Sequence, residues 1–96
     1  MKKARIEPSA RRDIERIEEF ISRNELISVS RFRSDLERGI EEIENNPSIY
    51  VYNETKFGTR FQRHRIKLGY IIFYIELSQY ISIMHIVHER EEFIVR

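Results

Sequence analysis

Tyr70-Ile71-Ile72-Phe73-Tyr74-Ile75 puts six consecutive apolar or aromatic side chains in one stretch. Isoleucine, phenylalanine and tyrosine all favour the pleated strand. Side chains on a strand alternate between faces, so Tyr70, Ile72 and Tyr74 share one face and Ile71, Phe73 and Ile75 the other. A strand apolar on both faces belongs in the middle of a sheet, covered at least in part on each side. The central strand is expected over Tyr70–Leu77. Flanking strands and a covering layer must come from a chain of 96 residues, which is one domain (residues 1–96) with one core.

The cover is expected from two helices. Ala10, Ile14, Ile17 and Ile21 recur at spacings of four, three and four, which is one helical face, and Phe20 broadens it. Ser9 is the expected N-cap, and the helix ends around Arg23-Asn24. Val29, Phe32, Leu36, Ile40 and Ile43 mark a second helix, closed by Asn45-Asn46-Pro47 because the residue before proline avoids helical geometry. A short link makes the two an antiparallel hairpin. Alternation at Ala4 and Ile6 predicts a first strand. Alternation from Arg60 predicts another, turning at Leu68-Gly69. Tyr80–His88 is the last strand, followed by a charged tail at 89–96, while residues 48–58 form a connection without a clear pattern. The order β-α-α-β-β-β describes an α+β fold in which a helix hairpin packs on a mostly antiparallel four-stranded sheet.

Charge is distributed unevenly. The total is only +1, yet residues 55–70 carry Lys56, Arg60, Arg63, Arg65 and Lys67 with no acid, while residues 8–46 carry seven arginines against ten acids. A local basic run reads as a surface for an anionic partner. Its plainer explanation is a solvated strand edge kept from aggregating by its cations. Arg63, Arg65 and Lys67 share one parity, which places Arg65 and Lys67 on the same sheet face. No cysteine is present, so neither disulfides nor cysteine-ligated metal are expected. Neither a metal nor any other cofactor is expected. No apolar run nears the roughly 18 residues of a membrane span, and the start lacks the apolar core of a signal peptide. A cytoplasmic protein without membrane contact is expected. His85 and His88 lie three apart on a strand, hence on opposite faces, and cannot readily act as a pair; His64 reads as incidental. Tyr70 and Tyr74 read first as packed core tyrosines with satisfied hydroxyls.

In order along the chain, several segments resemble the RelE/ParE toxin superfamily of bacterial type II toxin–antitoxin systems. They are Pro8-Ser9-Ala10 with Asp13-Ile14, Ile17 and Phe20-Ile21; Asn46-Pro47; Gly58-x-Arg60; Arg65 to Tyr74; and Ile83-Met84-His85-Ile86-Val87-His88-x-Arg90. The resemblance covers almost the whole length. It implies a toxin that inhibits growth and is neutralised by a cognate antitoxin, with plasmid stabilisation as a setting and operator DNA met only through that antitoxin. RelE-like members enter the ribosomal A site and cut mRNA. ParE-like members bind and poison DNA gyrase without being nucleases.

Mapped on the nuclease pattern, Arg65 and Lys67 match two basic positions, Gly69-Tyr70 matches a Gly-Tyr pair, and Arg90 stands for a later basic residue. The arginine expected after that tyrosine is Ile71. The tyrosine expected near the end is replaced by Phe93, which has no hydroxyl, and Arg96 is a different group. An arginine that stabilises developing phosphate charge is worth orders of magnitude in rate. The regular helix hairpin, the central Ile72-Phe73-Tyr74 and the ending Val87-His88-x-Arg90 followed by acids lean toward the ParE-like branch. The resemblance therefore implies a gyrase inhibitor with target-binding residues Arg60, Arg63, Arg65, Lys67, His88 and Arg90 and no catalytic residues. The alternatives are a ribosome-dependent mRNA endonuclease using Arg65, Lys67 and Arg90, or a decayed, non-toxic antitoxin-binding protein.

Overall fold

The computed structural model describes residues 1–24, 27–50, 54–56 and 59–91. Strand β1 (Ala4–Ile6) leads into helix α1 (Pro8–Asn24), and α2 (Val29–Asn45) follows. A 3-10 turn at Pro47–Tyr50 precedes β2 (Glu54–Lys56), β3 (Thr59–Arg65), β4 (Tyr70–Glu76) and β5 (Ile81–His88). The sheet order is β1-β5-β4-β3-β2, with β1 parallel to β5 and the other pairs antiparallel. The expected β-α-α-β-β-β arrangement is present. Short β2, inside the connection left without a pattern, adds a fifth strand along part of β3's outer edge.

Each helix forms where its apolar spacing and end signals agree. Pro8 opens α1, where its missing N–H is no loss. Ser28 caps α2, its Oγ accepting the Arg31 N–H at 3.1 Å, and Asn46 closes it. Arg33 of α2 donates to Glu18 of α1 at 2.7 and 3.0 Å, joining the two across their exposed side. The inner helix faces bury Ala10, Ile17, Ile21, Phe32, Leu36 and Ile43 against Tyr70, Ile72, Tyr74, Ile81, Ile83 and Ile86. Each such aliphatic or aromatic side chain removed from water stabilises by about 1.5–3 kcal/mol. On the opposite sheet face Phe61, Ile71, Phe73 and Val87 make a second buried cluster, with Ile75 and Met84 against it. β4 is thus buried from Tyr70 through Tyr74, as a strand apolar on both faces requires. The Tyr74 hydroxyl donates to the Pro47 carbonyl at 2.5 Å, which anchors the 3-10 turn to the core.

Two expectations about α1 need correcting. Phe20 does not join the core and is 55% exposed, because the face meeting the sheet is the narrower Ala10–Ile17–Ile21 line. Ser9 lies inside the helix and is not its cap. Its hydroxyl donates 2.6 Å to the Met84 carbonyl of β5.

That contact belongs to a wider device. β1 accompanies β5 only as far as Ile83, which would leave the following edge of β5 with unpaired backbone groups. The first turns of α1 replace the missing strand. Glu7 N–H donates to Ile83 O at 3.0 Å, Ser9 serves Met84 O, and Asp13 Oδ2 accepts the Ile86 N–H at 3.0 Å. The same Asp13 oxygen lies 3.2 Å from His85 Nδ1, which donates to it. Orphaned backbone groups are costly, so the carboxylate is worth a charge-assisted hydrogen bond. Asp13→Ala is expected to lower stability by about 2 kcal/mol, seen as a melting midpoint about 10 °C lower. Asp13→Asn, which keeps one acceptor oxygen, should lose less. An unchanged midpoint for the alanine variant would refute this role.

Candidate functional site

The basic run lies along β3 and its turn into β4. The turn closes with Gly69 N–H donating to Ile66 O at 3.0 Å and Ile66 N–H to Tyr70 O at 2.8 Å. Gly69 has φ of +90°, a left-handed conformation that a side chain resists. A Cβ there would stand 2.6 Å from Glu89 Oε2. Helix α2 fixes the turn from the other side: the carboxylate of buried Asp35 accepts the Leu68 N–H at 2.8 Å and pairs with Arg38. Glu89 N–H donates to Gly69 O at 2.8 Å, so the exit from β5 is tied to the same turn.

The six target-binding candidates do not form one stripe. Arg60 is exposed, opposite Thr55 of β2. Arg63 lies over the Phe73 ring at 5.9 Å, on the sheet face away from the helices. Arg65 is exposed but held by Glu89 through contacts of 3.3 and 2.8 Å, a two-pronged pair that raises the arginine pKa and lowers that of the glutamate. Lys67 departs from the predicted parity. The strand stops at Arg65, so Lys67 sits in the turn, exposed, beside Arg31, Ser34, Asp35 and Arg38 of α2. Arg65 and Lys67 therefore do not share a sheet face. Among the described residues no carboxylate comes within ion-pair distance of Lys67. His88 meets the Tyr70 ring edge-to-face at 5.0 Å, and its Nδ1 accepts the Arg90 N–H at 3.2 Å. Arg90 itself is exposed.

The chemical potential of this end of the sheet follows from these contacts. Tyr70 is buried between His88 and Phe32, and desolvation, then the charge of Glu91, pushes its hydroxyl pKa up, away from service as a base near neutrality. Ile71, at the position of the expected arginine, is 1% exposed on the opposite sheet face. Phe93 and Arg96 lie outside the described residues, as does Gly58. Among the described residues no three His, Cys, Asp or Glu are placed to hold a metal ion, and no helix is long and apolar enough to cross a membrane.

Sequence reading missed the partners of the histidines. His64 has a structural place. Its Nε2 donates to Glu42 of α2 at 2.8 Å and its ring packs against that of Tyr50, tilted by 38° with centroids 4.0 Å apart. His85 joins Asp13 and meets Phe61 edge-on. Both contacts are non-local, and no local pattern signals them. The His64 hydrogen bond is the largest reason that Glu42 titrates below the ordinary 4.5. A carboxylate with a depressed folded pKa adds stability that is present above its unfolded value and lost as pH falls through the folded one. Acid unfolding followed below pH 4.5 should therefore show a shallower stability loss in Glu42→Gln than in the wild type. Parallel curves would remove Glu42 from the acid response.

Against known sequences, residues 4–93 match the family model described as the ParE toxin of the type II toxin–antitoxin system, parDE. No curated protein matches the chain significantly.

Proposed function

Since the chain belongs to the ParE toxin family of type II toxin–antitoxin systems, we propose that it acts as one toxin domain over residues 1–96, in the cytoplasm, inhibiting DNA gyrase by protein–protein contact until a cognate antitoxin covers it. The observation that carries the choice of chemistry is Ile71. The resemblance to nuclease toxins requires an arginine there, and this position is an apolar, 1% exposed side chain in the second core cluster. With Tyr70 kept protonated and Arg65 occupied by Glu89, the described residues of the sheet end offer charge for docking but no arranged acid, base and phosphate clamp. Target contact falls to Arg60, Lys67 and Arg90, which are exposed, with Arg63, Arg65 and His88 positioned through Phe73, Glu89 and Tyr70.

The test is two assays on one preparation. Purified protein is expected to impair supercoiling by gyrase and to leave mRNA intact on translating ribosomes. Expression without antitoxin should arrest growth with DNA damage and filamentation. Codon-specific cleavage with unaffected gyrase would reverse the assignment, and harmless expression of the wild-type chain would mark a decayed toxin.

A further inference from the structure

Where the β3–β4 turn meets α2, an open depression of about 300 Å³ is lined by Arg31, Ser34, Asp35, Arg38, Lys67 and Leu68. Three cations thus converge from two elements. Asp35, the acid of the lining, is already used: it is buried, pairs with Arg38 and accepts the Leu68 N–H. Arg38 reaches Glu42 as well, at 3.3 Å. Arg31 and Lys67 are exposed, and among the described residues neither has a carboxylate within ion-pair distance.

We propose that this depression is a carboxylate-binding site that takes one acidic side chain from a peptide segment of the cognate antitoxin. The inference rests on the toxin reading above for the identity of the partner. Charge decides the ligand. Arg38 is already paired with Asp35 and Glu42, whereas Arg31 and Lys67 have no carboxylate within ion-pair distance among the described residues, so the lining offers two cations to one incoming carboxylate. One carboxylate offers acceptors to Ser34, Arg31 and Lys67. A nucleic-acid backbone fits worse. It needs successive cations along its path, and among the described residues only Arg31 and Lys67 of this lining are without a carboxylate at ion-pair distance. The occupant would also cover Lys67, one of the cations assigned to target contact, so binding here would contribute to neutralisation.

The experiment titrates a blocked hexaglutamate peptide into the full chain at low salt, following amide resonances by NMR. The Leu68 and Ser34 amides are expected to shift. Arg31→Glu and Lys67→Glu, both at exposed positions, should each weaken binding at least tenfold, and Arg12→Glu, at an exposed position of α1 outside the lining, should leave it within twofold. Peptide binding unaffected by Arg31→Glu and Lys67→Glu, or no binding by the wild type, overturns the site. So does a single-stranded oligonucleotide that shifts these amides more strongly than the peptide. The gyrase assay separates the two readings. Lost peptide binding beside intact gyrase inhibition rejects this site alone. Mapped peptide binding without gyrase inhibition supports the site and rejects the target.

Discussion

Ile71→Arg is expected to unfold the protein rather than to convert it into a ribonuclease. The substitution restores the residue type found in the nuclease pattern, so by sequence alone it should bring activity. The structure predicts otherwise. Ile71 is 1% exposed in the cluster of Phe61, Phe73 and Val87, and pairs with Arg65 across β3 and with Val87 across β5. A guanidinium there would lose its hydration beside another cation, Arg65, whose own partner Glu89 is already engaged. An unpaired buried charge costs several kcal/mol, so about 4 kcal/mol or more is expected, which is on the order of 20 °C in melting midpoint. Ile71→Leu, close to it in volume, should cost under about 1.5 kcal/mol. Circular dichroism melts of the two variants decide the matter. A folded Ile71→Arg protein that cleaves mRNA would show that the site lacks only this one group, and the claim that this buried position cannot hold an arginine would fail.

The same residue shows what could be read from the chain beforehand. Period-two alternation placed Tyr70, Ile72 and Tyr74 on one face and Ile71 and Phe73 on the other, and both helices followed from apolar spacing, although the cap assigned to α1 lies inside it. These are local patterns. What escaped was set by contacts distant in sequence. Alternation carries no information about where a strand ends, so Lys67 was placed on a sheet face when it lies in the turn beside α2. Phe20 fits a helical face by spacing, but the width of the face that meets the sheet depends on how α1 lies on β5. Nothing local to Asp13 signals its role; only the early stop of β1 gives it a backbone partner. In the candidate site, residue types were legible and their pairing was not. Arg65 looked available, and a glutamate 24 residues on holds it. That pairing arises because Glu89 N–H is bound to Gly69 O, which brings the β5 exit alongside the turn.

Gly39→Val is expected to cost about 3 kcal/mol or more, through overpacking. Gly39 is buried in the middle of α2, where glycine is otherwise a poor choice, about 1 kcal/mol worse than alanine. Its presence is explained by the approach of the helix to the sheet. A Cβ at this position would lie 2.3 Å from Ile66 Cγ2 and 3.2 Å from Ile72 Cδ1. Ile66 is 2% exposed and branched at Cβ, so its methyl has little room to turn away. Two terms then compete. Alanine gains about 1 kcal/mol of helix propensity against an overpacking penalty of about 1–3 kcal/mol, giving a small net loss. Valine adds two methyl groups to the clash and little propensity, so the steric term wins, with a fall on the order of 15 °C in melting midpoint. Ile66→Leu moves the branch away from Cβ and removes the clashing Cγ2. Combined with Gly39→Ala it should recover more stability than the single variants predict by addition, the signature of direct contact in a double-mutant cycle. The effect also reaches the β3–β4 turn. Ile66 precedes Lys67, and Gly39 lies one helical turn after Asp35, which holds the Leu68 N–H. A helix pushed from the sheet at Gly39 must loosen the Asp35 tether before it loosens anything farther away. In Gly39→Ala, hydrogen exchange at Leu68 is therefore expected to accelerate more than exchange at Ile86, whose amide is held by α1. Equal acceleration at both amides would mean that α2 moves with the whole fold, and that Gly39 sets its stability but not the shape of the turn.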